Sequence, residues 1–243
     1  MAQPGSNGLR DELLASAREA GIVLHPTTLA LKRALDVIGA AAGLIITGPM
    51  LLLLGGLIRC ESAGAAIFRQ QRVGRWGRPF TLYKLRTMVQ DAERQGAGLA
   101  IAQGDARITR MGRFLRATSL DELPQFLNVL AGEMSFIGPR PLPVPYLERW
   151  NERQKLRLLM PQGLSGWSQV VARNDAPWPE RLERDVAYVR DWSLWFDCRI
   201  FFLTISKIFA RSGVATGEGT VEEFRPEKES GHGADTQASA DRE

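Results

Sequence analysis

Two adjacent carboxylates, Asp121 and Glu122, are the residues of this sequence best suited to chemistry. On a helix, neighbouring side chains project about 100° apart, so the two acids cannot face one atom symmetrically. They can divide the work, one as nucleophile or metal ligand and the other as base. A structural alternative competes, because Ser119 followed three residues later by Glu122 matches a capping box with Asp121 as an ordinary first-turn acid. The spacing alone leaves both interpretations open.

Four arginines at intervals of three residues precede the two acids: Arg107, Arg110, Arg113 and Arg116. This spacing brings neighbours close together on a helix. Guanidinium groups without intervening acids repel one another unless anions bind between them, and phosphate suits their planar fork. A solvated face, or a contact with anionic lipid headgroups, is the alternative. Arg116 is the best candidate for the site because it lies about one turn before Asp121.

Two further motifs present cations. Proline stands on both sides of Arg140 in the turn at residues 138–141, so the backbone is restricted and we expect a stiff presentation of this side chain. Lys84 and Arg86 alternate with a leucine, which predicts that both cations point to the same face of a strand. Each motif is weak by itself, because structural turns and strands use the same residues.

Composition excludes several other classes of function. The 243 residues contain only two histidines and two cysteines, so a disulfide framework or a zinc cluster is not expected. Hydrophobic residues make up 44% and charged residues 24%, which excludes wholesale disorder. The net charge of +4 is too small to indicate nucleic-acid binding. Catalysis, if present, therefore rests on carboxylates, arginines and an oxygen-ligated metal.

One apolar segment, from Val37 to Ile58, indicates a membrane. As a helix, its roughly 22 uncharged residues would be about 33 Å long, enough to cross a hydrocarbon core of about 30 Å. Pro49 interrupts the run, and Lys32 and Arg33 at one end and several arginines after the other draw both ends to the cytoplasmic side. A re-entrant helix bent at Pro49 satisfies both facts. An ordinary spanning helix and a helix of a soluble core are the alternatives.

The whole chain is predicted as a membrane-associated α+β protein, with a mostly helical catalytic domain, a small β-sheet and interfacial amphipathic helices. We expect an N-terminal extension, a membrane helix, a catalytic domain and a disordered tail, at residues 1–30, 31–59, 60–225 and 226–243. Strands are expected near residues 66–68, 80–83 and 134–137, with a loop at 96–105. Helices are expected at 88–95, 106–133 with an interruption at 117–119, 146–159, 178–190 and 191–211. The last helix either packs in the core or lies on the bilayer surface.

An ordered series of motifs between about Lys32 and Phe224 resembles the monotopic phosphoglycosyl transferases of the bacterial sugar transferase family. The series comprises residues 32–36, Pro49, Tyr83–Met88, Arg116–Glu122, Phe126–Leu130, Met134–Leu142, Gly163–Trp167 and Arg211–Val214. The compact size is similar to that of the single-domain members. Gly48 departs from the family pattern, because many relatives have serine before the proline; Thr47 could supply the hydroxyl instead.

The resemblance implies an enzyme that moves a sugar-1-phosphate from a nucleotide sugar, usually a UDP-sugar, to undecaprenyl phosphate and releases UMP. Asp121 would attack the sugar-bearing phosphate and form a covalent phosphosugar intermediate. Glu122 would assist the second attack, by the lipid phosphate. Mg²⁺ belongs to this mechanism, with Asp121 as its expected ligand. A lipid acceptor would explain the membrane segment, and a covalent aspartyl intermediate would explain why histidine is not needed.

The same resemblance implies phosphate-binding roles for Arg116 and Arg140 and a further cation at Lys84 or Arg86. It also implies an acidic position at Asp185, which we expect to take part in substrate binding. It implies the cytoplasmic face of the bacterial inner membrane and a part in exopolysaccharide, lipopolysaccharide or other glycoconjugate assembly. No nucleic-acid partner is expected, and a homo-oligomer is left open.

Two other functions fit the same residues. A membrane-bound, metal-dependent phosphatase or pyrophosphatase acting on nucleotide sugars or lipid phosphates would use water as the acceptor. A membrane-anchored interaction module would use Asp121 and Glu122 only as helix-cap acids. The transferred sugar cannot be read from the motifs, because it is selected by pocket contacts.

Overall fold

The computed structural model describes residues 6–92, 105–171 and 176–210. Within these ranges the α-helices are α1 (Ser6–Glu19), α2 (Pro26–Glu61), α3 (Arg110–Thr118), α4 (Phe126–Ala131), α5 (Glu152–Lys155), α6 (Trp167–Val171), α7 (Trp178–Arg190) and α8 (Leu194–Ala210). The strands are β1 (Ile67–Val73), β2 (Pro79–Leu85), β3 (Met134–Ile137) and β4 (Gln162–Ser165). Short 3₁₀ helices lie at Arg75–Gly77, Leu120–Gln125, Val144–Arg149 and Leu156–Leu159.

The strands of the described residues form two separate pairs. β1 and β2 are antiparallel, with Ile67 opposite Leu85, and Trp76 takes a left-handed conformation (φ 62°) in the tight turn between them. β3 and β4 are parallel, with Met134 opposite Gln162. The expected α+β architecture, mostly helical with a little sheet and one long apolar helix, is confirmed.

α2 is 36 residues long and contains the apolar segment. An 18-residue window of it has a mean hydropathy of 2.2, and only 11% of that window is buried. The helix is therefore long and apolar enough to cross a membrane. Exposed side chains such as Ile45, Ile46 and Leu52 form an apolar surface of the kind found at membrane or protein contacts.

The helix passes through Pro49 without ending. Proline has no N–H, so the carbonyl oxygen of Ile45 lacks its usual helical donor. Two residues before the proline, the Thr47 hydroxyl donates to the carbonyl oxygen of Gly43 at 2.7 Å, a kind of bond that often bends helices. The bend at Pro49 and the re-entry into one leaflet stay predictions.

Charged side chains near the start of α2 bind the rest of the protein. Lys32 Nζ donates to Asp197 Oδ2 at 2.6 Å, and the Tyr188 hydroxyl donates to the other oxygen of this carboxylate at 2.6 Å. Arg33 donates to two carbonyl oxygens near the end of α4. The charge pattern assigns both cations to a membrane flank, but the Lys32 charge is buried and neutralised inside the protein.

The main hydrophobic core joins α1, the Leu156–Leu159 turn, α7 and α8. Leu13, Leu158, Tyr188 and Ile200 are each at most 2% exposed there. On α8 the Ile200 side packs inside, whereas Trp195 is 80% exposed. One face of α8 therefore packs in the core, as one of the two predictions states, and the other face is exposed. The contact of that exposed face with a bilayer stays a prediction.

Two predicted helices are wrong in the described ranges. Met88 pairs with Ile108 in an isolated β-bridge, so no helix begins there. The segment at 146–159 divides into two 3₁₀ helices with the short helix α5 between them, because Asn151 caps α5 through a capping box with Gln154. The predicted helix at 106–133, with its interruption, and the helix at 178–190 are present. The predicted tail at 226–243 and most of the predicted loop at 96–105 lie outside the described residues.

Candidate active site

The turn that bears the two acids is formed by a helix ending. α3 stops because Ser119 takes a left-handed conformation (φ 56°), and the 3₁₀ helix Leu120–Gln125 follows at once. The Ser119 side chain makes no cap hydrogen bond, so the capping box that the sequence permits does not form. Asp121 and Glu122 are therefore not cap residues, and their environment has to be explained by other groups.

Glu122 is held by two cations. Lys84 Nζ donates to Glu122 Oε1 at 2.6 Å, and Arg140 Nη2 lies 3.6 Å from the same oxygen. Burial by itself raises the pKa of Glu122, but the charges of Lys84 and Arg140 outweigh it and lower the pKa to about 2. Glu122 is thus favoured as an anion, which binds the two cations.

Asp121 has the opposite character. It is only 9% exposed, and burial raises its pKa from 3.8 to about 6. Lys84 and Arg116 lower this pKa, while the Glu122 charge raises it. Neighbouring acids with pKa values moved in opposite directions are the usual sign of divided acid–base roles. Near neutral pH, Asp121 is a buried carboxylate that is poorly stabilised by its surroundings.

Arg116 is positioned by the close packing of α3 on Thr87, just after the end of β2. A methyl group added at Gly112 would lie 1.9 Å from the carbonyl oxygen of Thr87, so only glycine permits this approach. Arg116 Nε then donates to the Thr87 hydroxyl at 2.9 Å. The structure thus brings together Asp121, Glu122, Lys84, Arg116 and Arg140, five of the residues that the sequence singles out.

The turn that presents Arg140 depends on backbone contact between β3 and β4. Added methyl groups at Gly138, Gly163 and Gly166 would each lie 2.2 Å from a backbone atom of the opposite segment. The parallel pairing and these contacts hold the turn against β4. A small cleft between the two is lined by the side chains of Lys84, Glu122 and Arg140, together with Arg72, Leu82, Gln125, Pro141, Gly163 and Leu164.

Asp185 lies behind this turn and not in the cleft. It accepts from Arg157 Nη2 at 2.6 Å and from the Ser168 hydroxyl at 2.6 Å. The same Arg157 nitrogen donates to the carbonyl oxygen of Arg140. Asp185 therefore acts on Arg140 through Arg157, which the motif analysis misses. A lone arginine in the apolar run of residues 156–159 was the available signal.

Other predicted cations lie outside the cluster. Arg86 donates to the carbonyl oxygens of Ser62 and Ala63, so it closes the end of α2. Arg107 binds Asp105 through several hydrogen bonds before α3 begins. The row of four arginines is thus not one phosphate-binding face, and Arg116 is its member at the site.

The residues present fit a Mg²⁺ ion carried by a phosphate ligand. Within the described ranges, no group of three or more histidine, cysteine, aspartate or glutamate side chains could hold a metal unaided. Proteins usually bind Mg²⁺ through one or two carboxylates plus substrate phosphates and water. Asp121 suits that role, because burial disfavours its charge and a nearby cation would offset this.

The cluster thus brings two carboxylates and three cations together near the apolar helix α2. Residues 27–211 match the bacterial sugar transferase family. The chain is 38% identical over 195 residues to "Uncharacterized sugar transferase EpsL" of Bacillus subtilis (strain 168), covering 80% of this chain and 95% of that protein. The chain therefore belongs to the bacterial sugar transferase family, as its motifs predict.

Two further relatives have more specific names. "Galactosyl transferase CpsE" of Streptococcus agalactiae serotype III (strain NEM316) is 43% identical over 193 residues, covering 75% of this chain and 43% of that protein. "UDP-glucose:undecaprenyl-phosphate glucose-1-phosphate transferase" of Escherichia coli (strain K12) is 41% identical over 187 residues, covering 74% and 40%. The chain thus spans less than half the length of these two relatives.

Proposed function

We propose that this protein is an initiating phosphoglycosyl transferase, which moves a sugar-1-phosphate from a UDP-sugar to undecaprenyl phosphate and releases UMP. The observation that carries the proposal is the ion cluster in which Glu122 binds Lys84 at 2.6 Å and lies 3.6 Å from Arg140, next to the buried carboxylate of Asp121. Family membership and the printed activity of the Escherichia coli relative support the same reaction. The two relatives with named sugars differ in the sugar, so the proposal leaves it open.

The first step uses Asp121 as nucleophile. A carboxylate oxygen of Asp121 bonds to the sugar-bearing phosphorus of the UDP-sugar, and the bond from that phosphorus to the bridging oxygen breaks. UMP leaves with the electron pair, and the sugar phosphate stays on Asp121. A carboxylate that is weakly stabilised by its surroundings, as the raised pKa indicates, is the better nucleophile of the two acids.

In the second step an oxygen of undecaprenyl phosphate attacks the same phosphorus. The phosphorus–Asp121 bond breaks, which regenerates the carboxylate and yields a lipid diphosphate sugar. Glu122, with its pKa near 2, is a poor proton acceptor at neutral pH. It assists by fixing Lys84 and Arg140 in the cleft, where they neutralise phosphate charge.

Mg²⁺ completes the proposal as the cation of the diphosphate. When bound, it neutralises phosphate charge and stabilises UMP as a leaving group. Asp121 would be its protein ligand, and Arg116 would stand nearby as a fixed cation. This chain's own residues bind and orient the phosphates in either step, which is the main requirement of phosphoryl transfer.

The proposed location is the cytoplasmic face of the bacterial inner membrane, with α2 as a re-entrant anchor. The exposed apolar side chains of α2 and α8 support a membrane contact, because lipid would remove this apolar surface from water. The site can then meet a soluble nucleotide sugar and a lipid phosphate at the same level.

The test is a panel of radiolabelled UDP-sugars with the purified protein, Mg²⁺ and undecaprenyl phosphate. We expect UMP release that depends on the lipid, with label transferred to it, and a trapped phosphosugar on Asp121. Asp121→Asn should abolish both, whereas Asp191→Asn, which changes an exposed ion pair, should not. Rapid lipid-independent hydrolysis would instead mean a phosphatase or pyrophosphatase, and full transfer by Asp121→Asn would mean that another residue is the nucleophile.

A further inference from the structure

One face of α2 is shaped to receive two aromatic rings of the catalytic region. Asp36 at its beginning accepts from the Ser135 hydroxyl and from the backbone N–H of Phe136. Ala40, one turn later, is completely buried. Glycines occupy positions 39 and 43 of the same face.

The two glycines are in direct contact with the rings. A methyl group added at Gly39 would lie 2.8 Å from Cε2 of Phe136. One added at Gly43 would lie 2.6 Å from Cε2 of Phe126 and 2.8 Å from its Cδ2. Gly56 of the same helix has nothing within 4 Å of such a methyl group. The close approach is thus specific to the two positions that face the rings.

Both rings adjoin elements that carry site residues. Phe126 directly follows the 3₁₀ helix that contains Asp121 and Glu122. Phe136 belongs to β3, which leads into the turn of Arg140. The two rings also contact each other edge to face, with centroids 5.4 Å apart. A shift of either ring that its backbone follows would therefore move an element of the site relative to α2.

We propose that Gly39 and Gly43 form a socket for Phe136 and Phe126 that sets the height of the catalytic turn above the bilayer. The effect of this contact on catalysis rests on the proposed function. The lipid phosphate is confined to the headgroup plane, so the acceptor step requires a fixed distance between that plane and Asp121. The soluble UDP-sugar can follow the site wherever it sits, so the donor step does not. The two glycines are positioning residues for the acceptor step.

The first experiment separates the two steps in Gly43→Ala, with Gly56→Ala as the matched control. Exchange of labelled UMP into UDP-sugar, without lipid, reports the donor step. Lipid-dependent UMP release reports the acceptor step. Because misplacement by about 1 Å can cost about 100-fold, we expect Gly43→Ala to lose ~10-fold or more in the acceptor step while exchange is unchanged. Gly56→Ala should change neither.

A rescue variant tests the contact itself. Phe126→Ala removes every ring atom that the new methyl group would meet, so we expect the double variant Gly43→Ala/Phe126→Ala to recover acceptor activity relative to Gly43→Ala. Gly39→Ala, with the milder overlap at 2.8 Å, is the second variant if Gly43→Ala does not fold. Equal loss of both steps in these variants, or no loss in either, overturns the proposal.

A depth measurement makes the test independent of activity. A spin label at Leu127→Cys, beside Phe126, is read after replacing the two exposed cysteines, Cys60 and Cys198, with serine. In vesicles, Gly43→Ala should change the label's accessibility to oxygen relative to an aqueous quencher, and Gly56→Ala should not. An unchanged depth overturns the socket. If the depth changes but the unmodified protein shows no UMP exchange or lipid-dependent release, the proposed function fails and the socket stands.

Discussion

Arg157 Nη2 donates to the carbonyl oxygen of Arg140 at 2.5 Å while it is paired with Asp185 at 2.6 Å. The backbone of a cation in the cleft is thus held from behind by a buried ion pair. Arg157 is completely buried and Asp185 is 3% exposed, so neither charge can be satisfied by water. The turn of Arg140 therefore depends on a contact that lies outside the cleft.

Removing the Asp185 charge should destabilise the protein strongly. Asp185→Asn leaves the Arg157 charge buried without its partner, and losses of about 3–5 kcal/mol are typical of such changes. We expect a large fall in Tm for the detergent-solubilised protein. Glu183→Gln, which breaks the exposed Arg153–Glu183 pair, should cost about 0–1 kcal/mol. Similar Tm values for the two variants would contradict the buried role of Asp185.

The donor step should depend on ionisation of Asp121. Because burial raises the pKa of Asp121 to about 6, the carboxylate is protonated and unreactive below that value. We expect kcat/KM for UMP exchange to rise with pH through about 6 and then level off. A profile that is flat between pH 5 and 7 would argue against Asp121 as the nucleophile.

The ionisation of Asp121 should also affect folding stability, which we expect to fall as the pH rises, whereas activity rises. The folded-state pKa of about 6 lies above the ordinary 3.8, so folding favours the protonated form. The contribution of Asp121 to stability is therefore present at low pH and lost as the pH rises through about 6. Asp121→Asn should remove this loss. We expect the variant to be inactive yet to have a higher Tm than the unmodified protein at pH 8, with the difference shrinking toward pH 4.

Neighbouring charges should move the pH midpoint in opposite directions. The Glu122 charge raises the pKa of Asp121, so Glu122→Gln should shift the midpoint of UMP exchange to lower pH. Lys84 lowers that pKa, so Lys84→Met should shift the midpoint to higher pH. Both variants also loosen the cleft, and we expect the KM for UDP-sugar to rise. Shifts of the same sign in the two variants would be inconsistent with this arrangement of charges.

The backbone contact beneath Arg140 should not tolerate a side chain. Gly138→Ala would place a methyl group 2.2 Å from the carbonyl oxygen of Pro161. Because neither backbone can move freely, we expect a loss of about 1–3 kcal/mol in stability and a large fall in activity. Gly56→Ala, in which the added methyl group meets nothing within 4 Å, is the control for a glycine-to-alanine change without a steric clash. Wild-type Tm in Gly138→Ala would show that the turn can relax.

Local patterns in the sequence predict much of this architecture and the members of the site. The apolar run of α2, the strand pair around Trp76 and the helix interrupted at Ser119 follow from composition and turn residues. Asp121, Lys84 and Arg140 were also identifiable, because the weak individual motifs occur together in an ordered series that resembles one family. The contacts between these residues were not identifiable. Lys84 and Glu122 are 38 residues apart in sequence, and local patterns do not predict contacts between distant residues.

The failures of prediction share this cause. Lys32 and Asp197 are 165 residues apart in sequence, so their ion pair cannot be anticipated from the charges around α2. Arg86 has a site-like position in sequence, but its donors are used by the end of α2. At 146–159 the apolar spacing is helical, yet the Asn151 side chain restarts the helix by capping it. Burial and pairing decided each case.

The carbonyl oxygen that Pro49 deprives of a donor has a consequence for solvation. The Thr47 hydroxyl donates to Gly43 and not to Ile45. The carbonyl oxygen of Ile45 is therefore a polar atom without its helical donor in an otherwise apolar segment. Such an atom is more stable where hydration reaches it than at the dry centre of a lipid layer. The proposed re-entrant placement of α2 would accordingly bring its middle close to the headgroups, where water could hydrogen-bond to this oxygen.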